Sequence, residues 1–145
     1  MKSTDGRRIA FSGIDLRFMV DETDGKGEMV MFEMSVLPDA RVPIAHHHVA
    51  VDEAVYGLEG TLTTTLEGVI HEIGPGDSLF IPRGQVHHHG NRHGATAKVL
   101  IVMTPGTIGR GYFEEVLEAA SGPGKPDLAR LAEIMRRHGP VPSQS

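Results

Sequence analysis

His46-His47-His48-Val49-Ala50-Val51-Asp52-Glu53 and, further along, Pro82-Arg83-Gly84-Gln85-Val86-His87-His88-His89 are the stretches that decide how this chain folds. Six of its nine histidines lie at 46–48 and 87–89. Core packing gives no reason to gather them, because each imidazole brings two ring nitrogens that need partners. On an extended strand residues i and i+2 share a face, so His46 and His48 converge while His47 points away. Glu53 lies at an odd offset from His48, so the chain must turn or bulge near Ala50-Val51-Asp52 before Glu53 faces the same interior from the next strand. His87 comes from distant sequence, and only a closed or folded sheet brings a third strand to the same point. Three imidazoles and one carboxylate can then surround one divalent ion, and a six-coordinate ion so held keeps two positions open.

The surrounding sequence fits that demand. Ile14 to Phe18 alternates with period two, Asp24-Gly25-Lys26-Gly27 supplies a turn, and Met29 to Leu37 reads as the returning strand. Thr61 to Leu66 and Val69 to Ile73 form a second hairpin across Glu67-Gly68, with Leu62, Thr64 and Leu66 on one face. Gly74-Pro75-Gly76-Asp77 breaks the pairing before Ser78 to Ile81, Pro82-Arg83-Gly84 ends that strand, and Ala95 to Met103 is the last. Short antiparallel strands at this spacing make an all-β domain, a sandwich or barrel, with the barrel preferred because the site requires it. Gly60, Gly76 and Gly84 are read as turn positions.

After Thr104-Pro105-Gly106 the pattern changes, and Tyr112 to Ala120 and Asp127 to His138 read as helices. Pro126 and Asp127 suit the start of the second, and Arg136, Arg137, His138 and Gly139 suit its end. The last five residues are expected to fray. The expected organisation is a barrel over 1–104 and a C-terminal helical extension over 105–145 that packs on an open face of it.

Composition narrows the function classes. With 14 basic and 19 acidic residues, a formal charge of −5 and no long run of one sign, the chain offers no footprint for nucleic acid or an anionic membrane. No apolar run spans a bilayer and the N-terminus lacks a secretion signal, so a cytoplasmic protein is expected. Without cysteine there is no disulfide, thiolate nucleophile or Cys-type zinc site, and any metal must use nitrogen and oxygen ligands. Iron, manganese, nickel, copper and zinc all accept such a set.

The spacing His46-X-His48, Glu53, Gly60 resembles the first motif of the cupin superfamily. Gly76, Pro82-X-Gly84, His87, Asn91 resembles the second in every position, and only Ala40 departs, standing where the family often has glycine. The resemblance implies a cupin-type antiparallel β-barrel, or jelly roll, with a short helical tail. It also implies one divalent transition metal ion bound by His46, His48, Glu53 and His87. The tail is similar to that of small single-domain bacterial cupins, some of them grouped with quercetin-dioxygenase-like proteins.

Other polar residues have plainer readings. His47 and His88 point away from the cavity, and His89, which shares the parity of His87, either lines the pocket or, as is usual for such a histidine, makes a backbone hydrogen bond, the latter being expected. His71, His93 and His138 read as solvated or packing residues. Arg83 and Gln85, near the mouth, either orient an anionic substrate or belong to a solvated loop.

The expected function is a mononuclear metal-dependent oxygenase, of dioxygenase type, acting on a small enol, phenol or keto acid. Glu53 serves there as ligand or as a base whose pKa is raised by burial. The alternatives are a non-redox isomerase, lyase or decarboxylase on the same four residues, and a non-catalytic small-ligand module. Aromatic residues are only 5% of the chain and tryptophan is absent, which argues for a small substrate over a large flat one. Barrel edges favour a homodimer.

Overall fold

The computed structural model describes residues 7–42, 45–120 and 127–143. Among the described residues eleven strands build two sheets, every paired neighbour being antiparallel. The strands are β1 (Arg8–Phe11), β2 (Ile14–Val20), β3 (Val30–Val36), β4 (His46–His48), β5 (Asp52–Glu59) and β6 (Leu62–Leu66). They continue with β7 (Val69–Ile73), β8 (Ser78–Ile81), β9 (His87–Gly90), β10 (Ala97–Thr104) and β11 (Pro140–Pro142), and helices α1 (Arg110–Ala120) and α2 (Leu128–His138) come between the last two. One sheet runs β1-β2-β3-β10-β5-β8 and the other β11-β4-β9-β6-β7. The all-β jelly roll with two C-terminal helices is therefore what the sequence implied.

Alternation in sequence becomes alternation in burial. Along β3, Val30, Phe32, Met34 and Val36 are buried while the residues between them are half-exposed, and β10 repeats this with Ala97, Val99, Ile101 and Met103. These two strands pair over their whole length, Val99 opposite Met34 and Ile101 opposite Phe32, and form the floor of the core. Gly60 has φ +61, and a Cβ there would lie 2.2 Å from the carbonyl oxygen of Thr96, so the exit from β5 admits only glycine. Gly76 and Gly84 also take positive φ, as turn positions do.

The helices close one side of the barrel. Phe113 of α1 meets Phe18 and Phe32 at centroid separations of 5.8 and 5.5 Å, joining the helix to the sheet through an aromatic cluster. The first turn of α1 is capped from far away, since the Glu22 carboxylate accepts from the backbone N–H groups of Arg110 and Gly111, each at 2.9 Å. Asp127 caps α2 by accepting from Arg130 N–H, and Gly139, at φ 117, ends it. Pro126 lies outside the described residues.

One expectation fails here. Residues 140–142, the last two of them read as part of a frayed end, form β11 and pair with β4, Pro140 opposite His48 and Pro142 opposite His46. Two of its three residues are prolines, which lack a backbone N–H. At a sheet edge their missing N–H groups cost nothing, because that side of the strand faces no neighbour.

Candidate metal centre

The site is assembled from both sheets. His46 and His48 project from β4, and His87 and His89 from β9, which lies beside it with His46 opposite His87. Glu53 comes from β5 in the facing sheet, between Met103 on one side and Ile81 on the other. The odd offset between His48 and Glu53 is thus resolved by a crossing from one sheet to the other through exposed Val49 and buried Val51. The loop carrying Pro82-Arg83-Gly84 is strapped to the same crossing. Gly84 N–H donates to His48 C=O at 2.6 Å, and the Arg83 backbone and guanidinium both bond Asp52. Arg83 is therefore engaged in holding the loop, and its guanidinium is already paired with a carboxylate.

Around the cluster, the rings of His46, His48 and His87 lie within 5.0 Å of one another, centroid to centroid. Ligand-type atoms of His46, His48 and His87 fall within 4.8 Å of each other, and so do those of Glu53, His87 and His89. Glu53 Oε1 lies 3.6 Å from His48 Nε2 and 3.8 Å from His87 Nε2. Donors bound at about 2.1 Å to one octahedral ion are separated by roughly 3.0 Å when adjacent and about 4.2 Å when opposite, so these spacings suit a shared cation.

Hydrogen bonding supplies the sharper test. His48 Nδ1 and Nε2 and His87 Nε2 are buried with no hydrogen-bond partner. Orphaned buried nitrogens are costly and uncommon, and a metal ligand has this requirement, a lone pair with no competing donor. His87 Nδ1 lies 3.1 Å from the Gln85 carbonyl, which only accepts, so that nitrogen carries the proton and Nε2 keeps its lone pair toward the cluster. Burial pushes the His87 pKa down to about 4 against the pull of Glu53, which leaves the ring neutral near pH 7. The residues present fit a divalent ion.

His89 departs from the sequence expectation. It makes no backbone bond; its Nε2 lies 2.9 Å from Glu53 Oε2 and its Nδ1 2.8 Å from Thr64 Oγ1. An ionised Glu53 only accepts, so His89 Nε2–H donates to it and Nδ1 accepts from the Thr64 hydroxyl. The β6–β9 register, Thr64 opposite His89, makes this chain of bonds possible. The alternation of β6 placed Thr64 on the inner face, but nothing local in the sequence pairs it with His89.

For Glu53 the electrostatics also differ from expectation. Burial alone would raise its pKa, but the imidazoles of His48 and His89 against its oxygens, with the ring of His87 beside them, hold it well below the usual carboxylate range. Such a carboxylate suits a cation better than it suits a proton, which weakens the reading of Glu53 as a base with a raised pKa.

His88 turns outward and bonds the Val42 carbonyl at 2.8 Å, and His47 stands outside both ligand groups. His93 pairs with Glu72, and His138 with Glu115. Asn91, the last residue of the second motif, is a structural tie: buried, its amide donates to Val36 C=O and Ala95 C=O and its oxygen accepts from His93 N–H.

A cavity of about 70 Å3 opens from this cluster between the sheets and the two helices. Apart from His46, His48, His89 and Glu53, the described residues of its walls are apolar but for the Tyr112 phenol, and no lysine or arginine is among them. Phe11, Phe32, Tyr112 and Phe113 all face it, so four of the chain's seven aromatic residues gather at one place. The low aromatic content of the whole chain understates how aromatic this chamber is.

Known proteins repeat the architecture. The family model described as "Cupin domain" matches residues 32–103. The polyketide cyclase RemF from Streptomyces resistomycificus is 31% identical over 72% of this chain and 79% of its own, with a TM-score of 0.60. A sugar phosphate isomerase of the cupin superfamily from Silicibacter pomeroyi is 28% identical at a TM-score of 0.57. That match takes in 63% of this chain and spans 59% of the isomerase's length. A protein described as a predicted oxalate decarboxylase from Thermotoga maritima, 21% identical over 68% of this chain and 90% of its own at a TM-score of 0.60, shares the fold. None of the curated proteins compared with the chain matches it. The strand topology, the matched model and these relatives agree, and the chain belongs to the cupin superfamily.

Proposed function

We propose that this cupin is a mononuclear metal-dependent enzyme for a small substrate with an enol, phenol or ketone oxygen, its ion held by His46, His48, His87 and Glu53. The observation that carries the reading is the set of buried, unpartnered imidazole nitrogens of His48 and His87 turned toward an ionised carboxylate. A divalent cation in that position would supply Lewis acidity to the substrate oxygen and, if redox-active, one-electron chemistry with dioxygen. Glu53 neutralises charge there, His89 and Thr64 fix its orientation, and the apolar walls exclude water and strengthen every charge interaction inside. The domain organisation that goes with this is a barrel carrying all four ligands and a helical extension after residue 104 that roofs the chamber.

Two reaction types share these parts. Proton shuffling without redox, as in an isomerase, lyase or cyclase, is supported by the names of the relatives, among them a cyclase at 31% identity. Oxygenation of the dioxygenase type is supported by the apolar chamber, into which dioxygen partitions readily. Elemental analysis of untagged protein beside a His46→Ala/His48→Ala variant tests the shared premise, with about one ion per chain expected in the parent and a trace in the variant. Equal trace metal in both would sink it. Zinc-loaded protein that exchanges ketone α-protons with solvent deuterium without oxygen then supports the non-redox type; oxygen uptake dependent on iron, manganese, nickel or copper supports the oxygenase.

No described helix is long and apolar enough to cross a membrane. Pairing of two chains is proposed to use the side where edge strand β8 leaves Phe80, and neighbouring Tyr56, exposed. A sedimentation mass that falls from dimer to monomer in Phe80→Lys supports this, and an unchanged mass refutes it.

A further inference from the structure

The walls of the chamber say which substrates the centre can accept. Aromatic and aliphatic side chains from the six-stranded sheet and both helices meet there, and beyond the cluster the only polar side chain among the described residues is Tyr112. Tyr112 is 6% exposed and makes no hydrogen bond among the described residues. A phenol at the wall of the chamber is free to donate to an acceptor that enters it, a bond worth about 1 kcal/mol. A phosphate or a second carboxylate would meet no lysine or arginine among the described residues of this chamber, and its charge would lie unpaired in an apolar space.

Resting on the metal reading above, we infer that the ligand is compact, uncharged and mostly hydrocarbon. One of its oxygens lies at the histidine–Glu53 end and a second acceptor faces Tyr112; sugar phosphates and dicarboxylates are excluded. Size is bounded as well. A cavity of about 150 Å3 lined by apolar side chains takes up benzene, and this one, at about 70 Å3, is smaller. The body that enters without rearrangement is thus a small ring or short branched chain, and larger ones require α1 and α2 to shift.

Calorimetric titration with cyclopentane-1,2-dione, inorganic phosphate and oxalate, each into zinc-loaded and metal-free protein, tests this. Expected is a dissociation constant for the dione at least tenfold below those for phosphate and oxalate on the loaded protein, with weaker but measurable dione binding persisting without metal. Val116→Phe, which fills the chamber from α1, should weaken dione binding at least tenfold with zinc stoichiometry unchanged. Tyr112→Phe, which removes only the hydroxyl, should weaken it about fivefold, the worth of one neutral hydrogen bond. Phosphate or oxalate binding as tightly as the dione overturns the inference, and needs no variant to fold. Dione binding that vanishes with the metal and ignores Val116→Phe also overturns it while leaving the metal reading intact. A protein that takes the dione but no zinc overturns the metal reading instead and leaves the chamber's preference standing.

Discussion

Two histidine triplets, 46–48 and 87–89, are identical in sequence and meet very different surroundings. The first forms the whole of β4, a three-residue strand held by a single register pair to β9 on one side and by the C-terminal β11 on the other. The second sits in β9, between β4 and the longer β6. In β4 the ring of His48 finds no hydrogen-bond partner at either nitrogen. In β9 one nitrogen of His87 is tied to Gln85, and both nitrogens of His89 are bonded, to Glu53 and Thr64. The first triplet thus leaves both nitrogens of His48 unpartnered, whereas the second leaves only His87 Nε2 so and turns His89 into a brace for the carboxylate. Cross-strand neighbours decide the outcome.

The largest effect should come from removing an orphaned ring. His48→Ala or His87→Ala is expected to lower zinc affinity by two orders of magnitude or more, measured by competition with a chromophoric chelator. His89→Ala and Thr64→Val should lower it only about ten- to a hundredfold, because they loosen the carboxylate without deleting a ligand. Equal losses at 48 and 89 would erase the distinction between the triplets, and a negligible loss at 48 would remove the centre itself.

Acidification acts next in size. The metal-free protein holds His87 neutral down to about pH 4, whereas the unfolded chain protonates it near pH 6.5. Between those values the unfolded state binds the extra proton, so stability falls as pH falls; above pH 6.5 neither state is protonated and the group contributes nothing. The loss across the window is on the order of 3 kcal/mol. The lowered pKa of Glu53 adds to it, its contribution being present above the ordinary carboxylate pKa and lost below it. Urea denaturation at pH 7, 5.5 and 4.5 measures the slope, and His87→Gln should flatten it. An unchanged slope would place the acid sensitivity elsewhere.

How much of this could be read in advance depends on range. The hairpins were legible because alternation and Gly-containing turns are local, and the barrel, which brings histidines of both triplets near Glu53, because two motifs with fixed internal spacing imply it. What was hidden is long-range: Pro140-Val141-Pro142 beside the histidine strand, Glu22 capping a helix far along the chain, and Thr64 registered against His89. The aromatic chamber was hidden for another reason. Composition averages over the chain, while folding draws residues 11, 32, 112 and 113 to one wall.

The tail strand offers a finer probe of the first triplet. A chain ending at Gly139 keeps both helices and loses β11, so β4 retains only β9 as a partner, through one register pair. Zinc affinity should fall about tenfold through looser positioning of His46 and His48, with the urea midpoint changed little, since residues 140–142 add only one buried residue. An unchanged affinity would mean that the single pair to β9 and the Gly84 strap suffice to hold the strand.

The smallest expected effect concerns the middle residue of the second triplet. His88 turns outward and bonds the Val42 carbonyl, so His88→Ala should destabilise the fold by about 1 kcal/mol, as loss of one such bond does. It should leave zinc affinity within about twofold. Alternation along β9 is the physical reason: neighbours of opposite parity face opposite sides of a sheet, and the cluster lies on one side only. A loss at 88 comparable to that at 89 would mean that β9 transmits strain along its backbone into the cluster, and the split between the triplets would then be one of strand rigidity instead of side-chain partners.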